Sequence, residues 1–169
     1  LPLLLTGGLH ADGFMDTMDG VFSGRSKERK LEIMKDSRVG ANGVTAFVLL
    51  LLLNWAILLD MPPFWLVPAL FVMPVIGRCM MAAAITCFPY ARPEGMGKAF
   101  AQYAGKKSLW LALFITVMCV VPWGPLACIA FLVSAGFTIC FARYITGVLG
   151  GLTGDVYGAL TLLNEVLVL

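Results

Sequence analysis

Apolar residues run in long stretches along this chain, and polar residues gather in short segments between them. A helix that crosses a bilayer needs about 20 predominantly apolar residues, and four stretches approach or reach that length. Prolines at 62, 63, 122 and 125 interrupt the apolar runs, which predicts tight turns there. The pattern predicts four membrane-spanning helices, at about 39–59, 64–88, 108–121 and 126–142, and a terminal apolar segment that the glycine-rich stretch 150–159 leads into.

The composition supports a membrane protein. Hydrophobic residues make up 60% of the chain and charged residues 13%, and the mean hydropathy of +0.89 lies far above that of a soluble domain. We expect an all-α, polytopic transmembrane helical bundle that forms a single membrane domain over residues 1–169, contacts membrane lipid and binds no nucleic acid. The chain begins and ends inside apolar runs, so we expect it to be truncated at both ends. All the cysteines lie in apolar stretches without paired short spacing, which argues against a zinc site or a disulfide framework.

Lysine and arginine gather in three polar segments, at 6–40, 89–107 and 143–157. Short loops rich in these residues stay on the cytoplasmic side of a membrane. Each neighbouring pair of segments is separated by two predicted spans joined by a turn without Lys or Arg, so all three segments emerge on one side. The same segments carry most of the acidic residues. We therefore expect a catalytic site on the cytoplasmic face.

The first of these segments is rich in aspartate. Asp12, Asp16 and Asp19 are spaced at i, i+4 and i+7, so on a helix they share one face. Like charges at this spacing repel, and closely spaced carboxylate oxygens favour Mg²⁺ or Mn²⁺, particularly where substrate phosphates complete the coordination. The alternative is a solvated acidic helix face, which is the usual reason for a charge cluster. The flanking apolar residues favour the metal site, since carboxylates beside a membrane are rarely without function.

Four segments of the chain form a distinctive set when they are taken together and in order. They are TGGLHADGFMDTMDGVF at 6–22, LEIMKDSRVG at 31–40, ARPEGMG at 91–97 and GLTGDVYGA at 151–159. This set resembles one family, the cobalamin synthase family of adenosylcobinamide-GDP ribazoletransferases. The resemblance covers nearly the whole chain, and its first two segments are far more specific than an isolated pair of spaced aspartates.

The resemblance implies a multi-pass enzyme of the bacterial or archaeal cytoplasmic (inner) membrane, with its active site facing the cytoplasm. Such an enzyme transfers the corrinoid phosphoryl group of adenosylcobinamide-GDP to α-ribazole or its 5′-phosphate and releases GMP, in the last steps of cobalamin biosynthesis. The resemblance also implies a divalent cation, usually Mg²⁺, with Mn²⁺ as the alternative. Association of the chain with itself or with other enzymes of cobalamin synthesis stays open.

The resemblance also suggests roles for the acidic residues. By analogy with membrane phosphotransferases that present spaced aspartates to a diphosphate, the three aspartates of the first segment are the expected metal ligands. Asp36 is a fourth candidate ligand, and an ion pair with Arg38 or Lys35 is close to an equal alternative. The base that accepts the proton of the attacking hydroxyl is expected to be Asp19 or Asp155. Capping of the last helix is the alternative for Asp155.

Several further residues are candidates for substrate contacts. Arginine is the side chain best suited to bidentate phosphate binding. Arg78 falls deep in a predicted span, where a charge costs about 2.5–3.5 kcal/mol, so it requires a carboxylate or phosphate partner, and a structural ion pair stays as open as a substrate contact. A local hydrogen bond is the alternative for His10, and an ordinary surface turn is the alternative for Glu94. The full set of candidates is His10, Arg38, Arg78, Arg92, Glu94, Arg143 and Thr153.

Two other classes of function remain as alternatives. An ion-coupled transporter would use Arg78 and the aspartates for coupling, but it should show internal repeats, and the sequence shows none that is convincing. A CDP-alcohol phosphatidyltransferase or a prenyltransferase would share the spaced aspartates and the cytoplasmic face. The phosphatidyltransferase is the stronger of these, although neither enzyme accounts for the residues that surround the aspartates.

Overall fold

The computed structural model describes residues 2–169, which form α-helices joined by short loops. By length and composition, four helices within these described residues can cross a membrane: α4, α5, α8, and α7 extended by a 3₁₀ turn at Val121–Trp123. The prediction of an all-α, multi-pass membrane bundle is confirmed. The helices are α1 Pro2–Leu5, α2 Leu9–Val21, α3 Lys27–Ile33, α4 Ala41–Asp60, α5 Pro63–Cys87, α6 Met96–Tyr103, α7 Lys106–Val120, α8 Pro125–Leu149 and α9 Gly154–Val168.

The fourth spanning helix is longer than predicted. α8 continues through Arg143 to Leu149, whereas the sequence pattern placed its end near residue 142. Arg143 is exposed, but Ile145 and Leu149 on the opposite face are buried, so packing maintains the helix beyond its first charged residue. The helix ends at Gly150, whose φ of 79° lies in the left-handed region that glycine adopts readily.

The polar segment 89–107 is also more ordered than predicted. It contains α6, a short helix preceded by Gly95 at a φ of 130°, where the sequence pattern indicated only a loop. The helix has only eight residues, fewer than the window over which apolar periodicity can be recognised in a sequence. The segment with α6 lies between the second and third spans, as predicted.

The short helices α2 and α9 form the centre of the fold. α9 packs against α2, α5 and α8, and most of its surface is buried. A Cβ atom at Gly13 would lie 2.8 Å from the carbonyl oxygen of Asp155, and one at Gly158 would lie 3.2 Å from the Cα atom of His10. These two glycines therefore allow the backbones of α2 and α9 to approach closely, as small residues do between membrane helices.

Polar contacts join the inner helices to their neighbours. The Arg78 guanidinium of α5 forms an ion pair with the Glu165 carboxylate of α9. The Asn164 amide of α9 donates a hydrogen bond of 3.0 Å to the Thr138 hydroxyl of α8. Large apolar side chains are exposed along the outer surface of α4, among them Leu49. Contact with lipid is favourable for such an apolar surface, whereas contact with water is unfavourable.

Two loops meet at one end of the bundle. The Ala91 N–H donates to the Leu152 carbonyl at 2.8 Å, and the Leu152 N–H donates to the Pro89 carbonyl at 2.8 Å. A Cβ atom at Gly151 would lie 2.7 Å from that Pro89 oxygen, so glycine permits this close approach. The loop after α5 is thus fixed against the start of α9, which brings residues from distant parts of the chain together.

Candidate functional site

The acidic face of α2 lies near the first turn of α9. Asp12 is exposed, and Asp16 is half-buried. Burial raises the pKa of Asp16 to about 7, with further contributions from the charges of Asp12 and Asp155 that outweigh the opposing attraction of Arg92. We refer to Asp12, Asp16 and Asp155 as the acid cluster. The charge of Arg92 does not fully offset the negative charge of these three carboxylates.

Asp155 enters the cluster from the start of α9. Its Oδ2 atom lies 2.8 Å from Arg92 Nη2 and accepts a hydrogen bond of 3.3 Å from the Thr153 hydroxyl. The Thr153 Oγ1 atom also accepts from the Val156 N–H at 3.3 Å, so Thr153 is the N-cap of α9. Burial raises the pKa of Asp155, although the Arg92 charge opposes the shift. Thr153, and not Asp155, therefore has the capping role that was the alternative for Asp155.

Arg92 is the cation of the site. Its side chain is only 11% exposed, and its Nε atom has no hydrogen-bond partner among the described residues. The backbone contact between the loops at Ala91 and Leu152 holds Arg92 beside Asp155. A buried guanidinium with a spare donor can bind the oxygen atoms of a phosphate group.

Asp19 lies on the same helix as Asp12 and Asp16 but has protein partners of its own. Its Oδ2 atom accepts a hydrogen bond of 2.7 Å from the Gly40 N–H, and its Oδ1 atom accepts one of 2.8 Å from the Gly43 N–H. The residue is buried. Both carboxylate oxygens are therefore engaged at the N-terminus of α4.

Asp36 also has a protein partner. The Arg38 Nη2 atom donates to Asp36 Oδ2 at 2.7 Å, and the Arg38 N–H donates to Asp36 Oδ1 at 3.1 Å. These hydrogen bonds lower the pKa of Asp36 to about 2. Of the open alternatives for Asp36, the structure contains the pair with Arg38, on the surface of the loop that precedes α4.

The remaining predicted residues have different surroundings. Arg78 is paired with Glu165, which meets the expected need for a partner within a span. His10 is half-buried on α2, and burial, followed by the charge of Arg78, lowers its pKa. Glu94 is exposed in the turn before α6, and Arg143 is exposed on α8 rather than in a loop.

The sequence comparisons agree with this architecture. A family model described as cobalamin-5-phosphate synthase matches residues 1–169. The chain belongs to the cobalamin-5-phosphate synthase family. No solved structure matches the chain significantly.

Relatives of this family align over nearly all of the chain. Proteins named adenosylcobinamide-GDP ribazoletransferase are 42% identical in Desulfitobacterium hafniense, over 100% of this chain and 69% of the relative, and 49% identical in Desulforamulus reducens, over 94% and 64%. A protein of the same name in Clostridium acetobutylicum is 39% identical, over 96% of this chain and 66% of the relative. The chain thus spans about two thirds of the length of these cobalamin-5-phosphate synthase relatives.

Of the four aspartates predicted to bind a divalent cation, only some have carboxylate oxygens that fit such an ion. Within residues 2–169, no three His, Cys, Asp or Glu side chains converge closely enough to form a metal site on their own. The four predicted ligands are not brought together, because Asp19 and Asp36 bind other protein groups. The hard oxygen donors of Asp12 and Asp16, with their unbalanced charge, fit an ion that takes part of its coordination from substrate phosphates, as Mg²⁺ commonly does.

Sequence reasoning missed three residues of this region. Gly40 and Gly43 receive the Asp19 carboxylate, and Glu165 pairs with Arg78. The spacing of the two glycines at i and i+3 at the start of an apolar stretch was an available signal, since glycine marks close backbone approach. The partner of Arg78 could have been sought among the few other charges in apolar segments, of which Glu165 is one.

Proposed function

We propose that this protein is a membrane transferase that joins the corrinoid phosphoryl group of adenosylcobinamide-GDP to α-ribazole or its 5′-phosphate and releases GMP. The observation that carries the proposal is the acid cluster beside Arg92, built from the first, third and fourth of the segments that resemble the family. The names of the relatives from three organisms supply the substrate class.

The reaction sets three requirements on a protein site. The negative charge of the diphosphate must be offset, the attacking ribose hydroxyl must be aligned with the phosphorus–oxygen bond that breaks, and a base must accept the hydroxyl proton. GMP leaves with the electrons of the broken bond. A cation-binding acidic helix face and one buried arginine are suited to the first requirement.

We propose that Asp12 and Asp16 hold a divalent cation, Mg²⁺ or Mn²⁺, together with phosphate oxygens of the substrate. Such an ion supplies positive charge at the diphosphate and stabilises the GMP leaving group. Burial, followed by repulsion from Asp12 and Asp155, raises the pKa of Asp16, and a nearby cation would relieve that repulsion, which supports this role. Asp19 and Asp36, the other two predicted ligands, are less suited, since their oxygens already accept hydrogen bonds from the protein.

Arg92 and Asp155 have complementary roles in this proposal. The spare Nε donor of Arg92 binds a phosphate oxygen of the nucleotide, and the same guanidinium keeps Asp155 in place. Asp155 acts as the base, since burial raises its pKa and so makes its carboxylate a stronger proton acceptor. Thr153 orients the Asp155 carboxylate through its hydroxyl hydrogen bond.

We further propose that the site faces the cytoplasm from the inner membrane. Arg92 pairs with Asp155, and Lys27 lies against Gly150 just before α9, so basic residues outside the spans lie at the end of the bundle that carries the acid cluster. Basic residues of short loops remain on the cytoplasmic side. A cytoplasmic site also has direct access to a water-soluble nucleotide product. The orientation is tested by labelling single exposed cysteines from either side of sealed vesicles.

The experiment that tests the activity is GMP release from adenosylcobinamide-GDP by the whole protein in lipid nanodiscs, with α-ribazole and Mg²⁺ each added or withheld. Release should require both additions and should fall at least about 100-fold in Asp16→Asn, because the substitution removes a metal ligand. Asp60→Asn, in the last turn of α4 and away from the acid cluster, is the matched control and should retain activity. Absence of a corrinoid product under all conditions would refute the proposal and would lead to tests of CDP-alcohol substrates.

A further inference from the structure

We propose that Asp19 is a positioning residue, which fixes the acidic face of α2 by capping the N-terminus of the first membrane span, α4. It is neither a metal ligand nor the base. The part of this inference that concerns activity rests on the proposed function. The part that concerns the cap rests on geometry alone.

The N-terminus of α4 lacks a cap from its own sequence. Its N-cap residue is Gly40, whose φ of −90° and ψ of 172° are typical of an N-cap but which has no side chain to accept a backbone N–H. Asp19, 21 residues earlier in the chain, supplies the missing acceptor. Its two oxygens receive the N–H groups of Gly40 and Gly43, and its negative charge lies at the positive end of the helix dipole.

Glycine at both receiving positions makes this contact possible. A Cβ atom at Gly40 would lie 2.5 Å from Asp19 Oδ1, and one at Gly43 would lie 2.5 Å from Asp19 Oδ2. The Gly43 position also faces the backbone of α2, where a Cβ atom would lie 2.8 Å from the Met15 carbonyl oxygen. Any larger side chain would displace the carboxylate or separate the two helices.

The loop before α4 is shaped to deliver these N–H groups. The Asp36 carboxylate accepts a hydrogen bond from the backbone N–H of Arg38, which is the local turn that aspartate commonly forms. The chain then passes through Val39 to Gly40. The segment 31–40, whose residues carry part of the family resemblance, therefore has a structural use that does not require Asp36 to bind a metal.

The cap bears on the site because of where it holds α2. Gly13 contacts the backbone of α9, and Asp19 binds the end of α4, so α2 is fixed on two sides. Asp16 lies between these two points along the helix. Loss of the Asp19 contact would allow α2 to rotate or shift, and a displacement of about 1 Å can cost about 100-fold in rate.

A double-mutant cycle separates this role from a chemical one. The proteins are wild type, Asp19→Ala, Gly40→Ser and the double variant, all in lipid nanodiscs. Asp19→Ala removes the cap. Gly40→Ser alone places a Cβ atom against the carboxylate, but in the double variant the space is free and the serine hydroxyl can cap α4 locally. Serine cannot replace a carboxylate as a metal ligand or base, so recovery of activity would report the cap alone.

We expect each single variant to lower the apparent Tm by about 2–8 °C and kcat by about 10- to 100-fold. The double variant should recover most of both losses, with the KM for the corrinoid substrate close to that of wild type. A double variant that regains the Tm but remains as inactive as Asp19→Ala would overturn the proposal, because the carboxylate would then be needed chemically.

The same cycle distinguishes failure of this inference from failure of the proposed function. If wild type forms no corrinoid product, the proposed function fails, and the recovery of Tm in the double variant still tests the cap. Additive losses of Tm in the double variant would refute the cap whatever the activity. Full activity in Asp19→Ala would refute the positioning role directly.

Discussion

Replacement of Asp16 by asparagine should stabilise the metal-free protein at neutral and alkaline pH. Burial and the charges of Asp12 and Asp155 raise the pKa of Asp16 from 3.8 to about 7, so folding makes its ionised form less favourable. Asparagine is nearly isosteric with aspartate and carries no charge. The substitution should therefore remove repulsion without creating a cavity, and a change at a functional site should increase stability.

The magnitude follows from the shift in pKa. A difference of about 3 pH units corresponds to about 4 kcal/mol if the carboxylate were fully removed from water. Asp16 is only half-buried, so solvent screening reduces the expected effect to about 1–2 kcal/mol. For a chain of this length, that corresponds to an increase in the apparent Tm of about 2–8 °C.

The sign of the pH dependence is fixed by the direction of the shift. Because the folded pKa of Asp16 is raised, the folded state carries no penalty below pH 3.8, loses stability as the pH rises, and carries the full penalty above about 7. The difference in Tm between Asp16→Asn and wild type should therefore grow from pH 5 to pH 8. Tryptophan fluorescence during heating in nanodiscs, with a chelator present, measures it.

Two controls complete this experiment. Asp36→Asn should not raise the Tm at any pH, because the pKa of Asp36 is lowered and its ionised form is favoured in the folded state. Added Mg²⁺ should stabilise wild type more than Asp16→Asn. A lower Tm for Asp16→Asn at pH 8 in chelator, or a difference that does not change with pH, would refute the electrostatic reasoning.

Three further variants test the fold and the site. Gly13→Ala should lower the Tm and the activity, because its Cβ atom would meet the Asp155 carbonyl at 2.8 Å, whereas Gly136→Ala on α8 meets nothing within 4 Å and should leave both unchanged or slightly improved in a thermal melt and a GMP-release assay. Arg78→Leu should destabilise the protein by about 3–5 kcal/mol because Glu165 loses its partner, and a thermal melt of Arg78→Leu/Glu165→Leu should show substantial recovery. Arg92→Lys should raise the KM for adenosylcobinamide-GDP by about tenfold in steady-state kinetics, since lysine lacks the guanidinium fork.

The spans could be predicted from the sequence because hydrophobic length and proline position reflect the bilayer directly. The end of α8 could not. Arg143 resembles the first residue of a loop, and only the burial of Ile145 and Leu149 against other helices extends α8 past it. A local pattern contains no information about which face of a helix finds a partner.

The candidate site was predictable in its location but not in its internal organisation. The spacing of Asp12, Asp16 and Asp19 predicts one shared helix face, and that pattern gave no reason to separate the third aspartate from the other two. Asp19 differs from the other two because it lies at the N-terminus of α4. The N-cap residue of α4, Gly40, has no side chain to accept a backbone N–H, and Asp19 accepts the N–H groups instead. Asp155 joins the first two through a contact between distant loops, at Ala91 and Leu152, that no local signal records.

Asp16 of α2 and Asp155 at the start of α9 lie near the end of the bundle where the two loops meet, so these carboxylates come together without lying deep in lipid. Burying the Asp16 carboxylate and holding it close to other carboxylates both disfavour its ionised form and raise its pKa. Two contacts hold α2 in place against this cost: the glycine contact of α2 with α9 and the hydrogen bonds from the end of α4 to Asp19. A site in which an ionised carboxylate is disfavoured is stabilised most by a ligand that brings positive charge. The stability of the metal-free protein therefore tests the proposed cation-binding role more directly than activity alone.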